Sequence, residues 1–438
     1  MQEIDTLLEA AWIIPVEPDD TILQNSSIAI DKGRIVEILP AELATDKYQP
    51  GTHLRYPDHV LTPGFVNAHT HSPMSLFRGL ADDLPLMKWL EQHIWPAESH
   101  HVNEEFIKDG TQLAIAEMLR SGTTCFNDMY FYPDITGRIA IDAGMRAAVG
   151  LIVLDFPSVW AANSDEYINK GLEVNDHFRD QELVSTCFAP HAPYTVSDAP
   201  LQHVQMLADE LDIPIHMHLH ETTDEINQSL ESHKVRPIER LGQLGLLSPN
   251  LMAVHMTHLQ AEEIELVAES GVHVIHCPES NLKLASGFCP VNQLIKQGVN
   301  VALGTDGAAS NNDLDMLSEM KTAALLAKGV ANDATALPGF QALKMATLNG
   351  ARALGMDQTI GSLLPGKAAD IIAIDLNSIE TRPHYHTISQ LAYSCSRDKI
   401  TDVWVNGQHL LNQRQLTHLD QNEILEKTHL WQQRIQTS

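Results

Sequence analysis

Eight short apolar segments alternate with longer amphipathic stretches from about residue 60 onward, and this alternation constrains the fold more than any other feature of the chain. The apolar segments are residues 63–68, 123–127, 146–154, 185–189, 213–218, 251–255, 272–276 and 300–304. Between them, residues 104–120, 201–211 and 261–270 place apolar side chains at helical spacing. Eight strands, each followed by helical material, are typical of a closed (β/α)8 TIM-type barrel, which makes the chain an α/β protein.

The two ends of the chain have a different pattern. Residues 27–30 and 34–39 are short alternating segments separated by Asp31-Lys32-Gly33, which is typical of a hairpin. Residues 370–375 and 403–408 have the same character. We therefore predict that both termini pair into one small β-sandwich domain. In this division residues 1–60 begin that domain, residues 61–365 form the (β/α)8 barrel, and residues 366–438 complete the small domain and add a terminal helix.

Charge and cysteine content exclude several classes of function. A formal charge of −29 over 438 residues repels nucleic acid and anionic lipid. No stretch approaches the roughly 20 apolar residues that span a bilayer, and the N-terminus is acidic rather than basic. The five cysteines are scattered and form no Cys-x-x-Cys pair. We expect a soluble cytoplasmic protein with reduced thiols, a small-molecule substrate, and neither nucleic acid nor a membrane as partner.

Metal-competent residues follow several of the apolar segments, where functional groups of such barrels lie. His69 and His71 share one face of an extended strand, and His218, His255 and Asp306 end other segments. Neutral imidazoles plus one carboxylate suit a single divalent ion such as Zn²⁺ or Fe²⁺.

Several other histidines compete for this interpretation. His216 and His220 share a strand face with His218, so all three could point inward. For His216, His220, His258 and His276, a hydrogen-bonded core histidine is the alternative reading. Glu221 is a candidate proton shuttle, because a carboxylate beside a metal-activated water can carry its proton onward.

Five motifs in order resemble the amidohydrolase superfamily, specifically its 5′-methylthioadenosine/S-adenosylhomocysteine deaminase family. They are Pro-Gly-Phe-Val-Asn-Ala-His-Thr-His at 63–71, His-Leu-His-Glu-Thr at 218–222, His255, Cys-Pro-Glu-Ser-Asn-Leu-Lys-Leu at 277–284 and Gly-Thr-Asp-Gly at 304–307. The likeness spans nearly the whole chain. It implies one divalent metal, Zn²⁺ with Fe²⁺ as the alternative, and it selects His218 by the glutamate three residues further on. The ligands that the resemblance implies are His69, His71, His218 and Asp306.

The resemblance also implies an activity, which is hydrolytic deamination of an adenine nucleoside at C6. A metal-bound hydroxide attacks the ring, Glu221 protonates a ring nitrogen and then the leaving amine, and Asp306 receives the proton of the water. His255 contacts that water, and the products are ammonia and the inosine analogue. Family members are commonly dimers or larger, so we expect a homo-oligomer, a dimer or tetramer.

Substrate contacts implied by the family fall on Trp89, Glu98, His191 and Ser310, besides Glu221 and Asp306. Glu98 is chemically suited to the ribose, since a carboxylate has two oxygens to accept from a vicinal diol. Without the family match, a solvated helix face and a core aromatic are the simpler explanations of Glu98 and Trp89.

One departure from the family concerns the 5′ substituent. Relatives that act on S-adenosylhomocysteine are expected to carry an arginine on the loop after the third strand, but residues 149–155 contain none, and Arg146 precedes the strand. This favours methylthioadenosine or adenosine over S-adenosylhomocysteine. A guanine deaminase or a triazine-type chlorohydrolase of the same branch is the alternative enzyme. A non-catalytic barrel scaffold is the alternative from another class, although it should have lost ligands and none is missing.

Overall fold

The structure is a computed structural model that describes residues 1–437, and it contains two eight-stranded sheets. In chain order the strands are β1 Gln2–Ile13, β2 Leu23–Asp31, β3 Arg34–Pro40, β4 Tyr48–Pro63, β5 Phe65–Thr70, β6 Thr123–Asp128, β7 Arg146–Val153, β8 Val184–Pro190, β9 Ile215–Leu219, β10 Leu251–His255, β11 His273–His276, β12 Val301–Leu303, β13 Ile371–Asp375, β14 Ile400–Val405, β15 Gln408–Asn412 and β16 Gln415–Leu416.

The helices lie mostly between the strands of the second sheet. They are α1 Ala41–Lys47, α2 Leu86–Trp89, α3 Trp95–His101, α4 Glu104–Arg120, α5 Pro133–Ala143, α6 Ser164–Phe178, α7 Asp198–Leu211, α8 Thr223–His233, α9 Pro237–Gln243, α10 Ala261–Ser270, α11 Pro278–Lys283, α12 Val291–Lys296, α13 Ala308–Asn311, α14 Met316–Ala331, α15 Gly339–Met345, α16 Leu348–Ala353, α17 Thr387–Ser389 and α18 Gln421–Gln436. Short 3₁₀ turns cover Ser72–Phe77 and Arg397–Lys399, and π-helical turns cover Leu90–Ile94 and Gln390–Ser394.

Strands β5 to β12 form a parallel barrel in which spatial order follows chain order. The barrel closes between β12 and β5, where the Asp306 N–H donates to the His69 carbonyl at 3.0 Å and the Thr305 N–H donates to Asn67 Oδ1 at 3.0 Å. Gly304 is required at this closure, because a Cβ there would lie 2.8 Å from the His69 backbone nitrogen. The eight predicted strands and the barrel are confirmed.

Local sequence signals explain where the long helices begin and end. α4 begins after Asn103, whose side chain accepts from the Phe106 N–H, and α10 begins with a capping box between Gln260 and Glu263. α10 ends at Gly271, which has a φ of +72° that suits glycine. These signals determine where α4 and α10 begin and where α10 ends.

The other sheet is built from both termini. β4 pairs with β1 on one side and with β13 on the other, where Pro63 lies opposite Ile371. Apolar side chains from both halves, including Ile28, Leu61 and Trp404, form one shared core. The predicted small β domain made of both chain ends is therefore confirmed.

A buried ion pair joins this sheet to the end of the barrel opposite the strand C-termini. Arg146, the first residue of β7, donates from Nε to Asp370 Oδ2 at 2.9 Å and from Nη2 to Asp370 Oδ1 at 3.2 Å. Arg146 also donates to the Glu182 carbonyl, and Asp370 accepts from the Asn406 N–H at 2.7 Å. Arg146 was expected to precede the strand; it is instead the first residue of β7, and its side chain pairs with Asp370 of the small sheet.

Two further expectations concern compartment and thiols. Within residues 1–437, none of the helices combines the length and apolar character needed to cross a bilayer. All five cysteines are buried and none is in a disulfide.

Candidate active site

A cavity with about 920 Å³ of open space lies at the C-terminal ends of the barrel strands. This is the end of a parallel barrel where the loops after the strands supply functional groups. The cavity floor contains His71, His218, His255 and Asp306, and the walls are mainly aromatic and aliphatic. A mostly apolar cavity with a few converging polar groups is the usual form of a small-molecule site.

Four side chains converge at the floor of this cavity. One ligand-competent atom from each of His69, His71, His218 and Asp306 lies within 4.8 Å of the other three. Asp306 Oδ1 is 3.2 Å from Nε2 of both His69 and His71, and His218 Nε2 is 3.2 Å from His69 Nε2. Three nitrogens and one oxygen facing a common point match the coordination of a divalent ion such as zinc.

The second nitrogen of each imidazole has its own partner. His69 Nδ1 is 2.9 Å from His216 Nε2, His71 Nδ1 donates to the Met129 carbonyl at 2.6 Å, and His218 Nδ1 donates to the His191 carbonyl at 2.9 Å. Partners of this kind hold the rings in orientation and set which nitrogen keeps the proton. All three Nε2 atoms are thereby directed to the common point, which fits a metal site.

Ionisation states also fit a cation at this point. Burial lowers the pKa of His69 to about 4 and that of His218 well below its usual value, so both rings are neutral. Burial raises the pKa of Asp306, but hydrogen bonds from His69 and His71 outweigh it and hold that pKa well below its usual value. For His71 burial lowers the pKa, and Asp306 outweighs it and raises the pKa to about 9. The ionised Asp306 carboxylate therefore favours a positive charge at the point where the three imidazoles converge.

Asp306 is held by groups on all sides. Its Oδ2 accepts from the hydroxyls of Ser280 at 2.6 Å and Ser310 at 2.8 Å, and its Oδ1 accepts from the Gly307 N–H at 2.8 Å. Ser310, a predicted substrate contact, lines the cavity while its hydroxyl donates to Asp306. The carboxylate is thus fixed before any substrate arrives.

Glu221 and His255 face each other above the metal-competent set. His255 Nε2 lies 3.8 Å from Glu221 Oε2, and His255 Nδ1 donates to Asn281 Oδ1 at 2.8 Å. Burial raises the pKa of Glu221, an effect that the charge of His255 partly offsets. A buried carboxylate with raised proton affinity is suited to take up and release protons near neutral pH.

Glu225 fixes the backbone that carries Glu221. Its carboxylate accepts from the N–H groups of His220 at 2.9 Å and Glu221 at 2.8 Å, while the Thr257 hydroxyl donates to the Glu221 carbonyl at 2.7 Å. Burial raises the pKa of Glu225 to about 8. The position of the candidate shuttle therefore does not depend on substrate.

Left-handed backbone occurs at three strand ends around the site. His220, His255 and Asp306 have φ values of +53°, +76° and +62°. Such conformations cost about 1–3 kcal/mol each in residues other than glycine, and they cluster at functional sites. Here they turn side chains at the ends of β9, β10 and β12 toward the cavity or into its wall.

The predicted substrate contacts Trp89, Glu98 and His191 all line the same cavity. The Trp89 indole nitrogen is buried without a hydrogen-bond partner, so its donor is free for a ligand. Glu98 Oε1 accepts from the Tyr130 hydroxyl at 2.6 Å, and burial raises the pKa of Glu98 to about 7. His191 Nδ1 lies 3.1 Å from the Thr195 hydroxyl, which leaves its Nε2 as the other polar atom of the ring.

The remaining histidines of the strand ends have structural positions. His216 lies beneath His69, and its Nδ1 is 3.2 Å from the Asn127 amide nitrogen. His220 Nε2 accepts from the Ile238 N–H, and His258 Nε2 donates to the Ser286 carbonyl. His276 is fully enclosed, and burial lowers its pKa to about 3. In this structure His216, His220, His258 and His276 lie outside the converging set.

Sequence reasoning gave no role to several groups that hold the site together. They are Asp128, Tyr130, Glu225, Ser280 and Asn281. Ser280 and Asn281 lie inside the recognised motif at 277–284, so that motif carried the signal. For Tyr130, no local pattern indicates that its partner is Glu98.

Three imidazoles, one carboxylate and a buried glutamate at the C-terminal rim of a parallel barrel define a metal-dependent hydrolase. Comparison with known proteins agrees with that class. The model of the amidohydrolase family matches residues 60–410. The chain belongs to the amidohydrolase family, and the curated relatives that it resembles include several named 5-methylthioadenosine/S-adenosylhomocysteine deaminase. The predicted family is confirmed.

Three similar proteins illustrate the relationship. A 5-methylthioadenosine/S-adenosylhomocysteine deaminase of Saccharophagus degradans is 49% identical, over 99% of this chain and 97% of its own. A 5′-deoxyadenosine deaminase of Methanothermobacter thermautotrophicus is 40% identical, over 92% of this chain and 93% of its own. A crystal structure of a zinc-bound adenosine deaminase from Xanthomonas campestris is 51% identical, covers all of both chains and superposes with a TM-score of 0.99.

Proposed function

We propose that this protein catalyses hydrolytic deamination of an adenine nucleoside at C6, with an uncharged group at the 5′ position. The observation that carries the proposal is the convergence of His69, His71, His218 and Asp306 at the floor of a largely apolar cavity that Glu221 also lines. The relatives that cover nearly the whole chain act on adenine nucleosides by their names, which supports this substrate class. Release of ammonia would leave the inosine analogue.

The metal in this proposal is a single divalent ion held by His69, His71, His218 and Asp306. When bound, such an ion lowers the pKa of a water toward about 7 and makes it a nucleophile. We propose zinc rather than iron, because three nitrogens and one oxygen suit zinc and the similar adenosine deaminase structure contains it. Elemental analysis of protein purified without added metal tests this choice.

Proton transfer in the proposal depends on the contrast between two carboxylates. Glu221 has a raised pKa and lines the cavity, so it takes one proton from the attacking water and delivers it to a ring nitrogen. The second proton of that water passes from the hydroxyl newly bonded to C6 through Asp306 and Glu221 to the departing amine. Asp306 has a pKa well below its usual value, so it is ionised at rest, orients the attacking water and accepts the second proton of that water transiently. His255 presents Nε2 toward the same water because Asn281 engages its other nitrogen.

Binding of the nucleoside is assigned to the cavity walls. Glu98 accepts from the ribose hydroxyls, the free indole N–H of Trp89 donates to the ligand, and His191 contacts the purine edge or the ribose. Ser310 contributes through Asp306, to which its hydroxyl donates.

The preference for an uncharged 5′ group follows from the charge of the cavity. Its walls contain the carboxylates Glu98, Glu221 and Asp306, and among residues 1–437 no lysine or arginine lines it. A homocysteine carboxylate or a phosphate would be desolvated there without a cationic partner, which costs several kcal/mol. Methylthioadenosine, 5′-deoxyadenosine and adenosine avoid that cost. Oligomeric state and cytoplasmic location stay predictions of the sequence.

An absorbance assay of the zinc-loaded protein tests the proposal. We expect conversion of methylthioadenosine and adenosine, slower conversion of S-adenosylhomocysteine, and none of guanine. Glu221→Gln should retain zinc but lose roughly 10²–10⁴-fold in kcat, since it removes the proton carrier. Glu231→Gln, an exposed glutamate of the adjacent α8, is the matched control and should keep full activity. Absence of activity on every adenine nucleoside would refute the function.

A further inference from the structure

Tyr130 follows β6 by two residues, and its side chain contacts Glu98 of α3 in the wall of the cavity. It is 6% exposed, lines the cavity and donates its hydroxyl to Glu98 Oε1 at 2.6 Å. Burial raises the pKa of Tyr130 well above its usual value, so the hydroxyl keeps its proton. The neutral Tyr130 phenol is therefore the donor of this hydrogen bond, and the carboxyl group that we assign to the ribose is its acceptor.

The segment that carries Tyr130 is tied to the metal-competent loop. The Met129 N–H donates to the Thr70 carbonyl at 2.9 Å, and the Met129 carbonyl accepts from His71 Nδ1 at 2.6 Å. One residue earlier, Asp128 Oδ1 accepts from the Ser72 N–H at 2.5 Å. Three consecutive residues thus connect the His71 loop to Glu98, which lies on a different element.

We propose that Tyr130 is a positioning residue for the sugar, which holds the Glu98 carboxylate in the orientation that accepts from the ribose diol. This inference rests on the proposed function, specifically on Glu98 as the ribose acceptor. With Oε1 engaged by Tyr130, Oε2 and the remaining lone pair of Oε1 stay available for two hydroxyl donors. A protonated carboxyl group would have one acceptor fewer, and hydrogen bonds to a neutral group are weaker.

The hydrogen bond from Tyr130 also affects the ionisation of Glu98. Burial raises the pKa of Glu98 to about 7, and the hydrogen bond from Tyr130 is the largest influence acting in the opposite direction. Without the phenol, more of the Glu98 population is protonated at neutral pH. The loss should therefore appear in ribose recognition rather than in chemistry at C6.

Tyr130→Phe tests the inference, because it removes one oxygen and keeps the ring. The probes are adenosine and 2′,3′-dideoxyadenosine, assayed with zinc-loaded protein. We expect KM for adenosine to rise roughly tenfold with kcat changed less than about twofold, as befits loss of one hydrogen bond to a charged group. KM for the dideoxy substrate should not change. Tyr132→Phe is the control, since that hydroxyl donates to the Val159 carbonyl and does not line the cavity.

Two further variants test whether Tyr130 acts through Glu98. If Tyr130 acts through Glu98, Glu98→Gln and the double variant with Tyr130→Phe should show the same KM for adenosine, because the single effects are not additive. The inference would be overturned if Tyr130→Phe raised KM equally for adenosine and 2′,3′-dideoxyadenosine. It would also be overturned if folded Tyr130→Phe kept the wild-type ratio of the two KM values. A wild-type protein that deaminates both substrates with equal KM would overturn it together with the assignment of Glu98 and leave the deaminase function standing. Where no substrate turns over, calorimetric binding of the same two nucleosides decides the inference by the same comparison.

Discussion

Replacing Arg146 with methionine should weaken the junction between the barrel and the small sheet and leave the active site unaffected. Arg146 is 3% exposed, and its guanidinium makes two bonds to Asp370 and one to the Glu182 carbonyl. Removal of one partner of a buried ion pair costs roughly 3–5 kcal/mol, because the other charge stays buried without compensation. Asp370 would still accept the Asn406 N–H, so we expect the lower end, about 3 kcal/mol.

Hydrogen exchange followed by mass spectrometry measures this cost locally. The amides of β13 and β14 should exchange about a hundredfold faster in Arg146→Met, since each 1.4 kcal/mol corresponds to a factor of ten. The control is Arg34→Met, which removes an ion pair with Glu182 whose side chains are 40% and 55% exposed. That pair should contribute less than about 1 kcal/mol.

Two results would refute the reasoning about Arg146. One is a change in β13 exchange no larger than that of Arg34→Met, which would mean that the buried pair is not stabilising. The other is a selective loss of kcat/KM for S-adenosylhomocysteine with unchanged exchange, which would make Arg146 a substrate residue. Arg146→Met combined with Asp370→Leu should recover most of the lost protection, because no unpaired charge then remains.

Three further predictions concern the metal, its support and acid stability. His216→Ala should weaken zinc retention against a competing chelator by roughly 10–100-fold, because it removes the partner of His69 Nδ1. Zinc removal should abolish deamination and lower the midpoint of thermal unfolding. Zinc at about 1,000 times its Kd should raise the free energy of unfolding by about 4 kcal/mol. An unchanged midpoint would contradict a set of zinc ligands that forms only in the folded state. Burial raises the pKa of Asp402, but hydrogen bonds from His409 and the Gln413 N–H outweigh it and lower that pKa. The ionised Asp402 therefore stabilises the fold fully at a pH above its pKa in the unfolded chain, which is about 3.9, and this stabilisation is lost as the pH falls through the lower pKa of the folded state. In Asp402→Asn, the urea concentration at the unfolding midpoint should consequently fall less steeply as the pH is lowered.

The barrel was predictable from sequence because its signal is local and repeated. Each barrel strand is a short, largely buried apolar run, and each run is followed by helical structure. The small sheet was predictable because its hairpins carry Lys32-Gly33 and Asn406-Gly407, which adopt positive φ values. The predicted strand ends differ from the observed ones by a residue or more; for example, β8 begins at Val184, whereas the predicted segment began at residue 185.

The supports of the site were less predictable, because they depend on contacts between residues far apart in the chain. Tyr130 meets Glu98 in the wall of the cavity, and Asn281 meets His255 from the next strand unit, so neither pair leaves a periodic signal. The left-handed backbone at His255 and Asp306 was equally hard to predict, because histidine and aspartate adopt positive φ more often than most residues but still only in a small minority of positions. The family motif located Ser310, but only the fold shows that its hydroxyl donates to Asp306.

The pairing of β4 with β13 has a consequence for biosynthesis. These neighbouring strands are separated by the entire barrel, which a ribosome makes in about 15 to 60 s at the usual ~5–20 residues per second. During that interval β4 has an unpaired edge, and such an edge is a template for pairing with another chain. Misassembly of nascent chains should therefore concentrate at β4, until the emerging C-terminal segment occupies that edge.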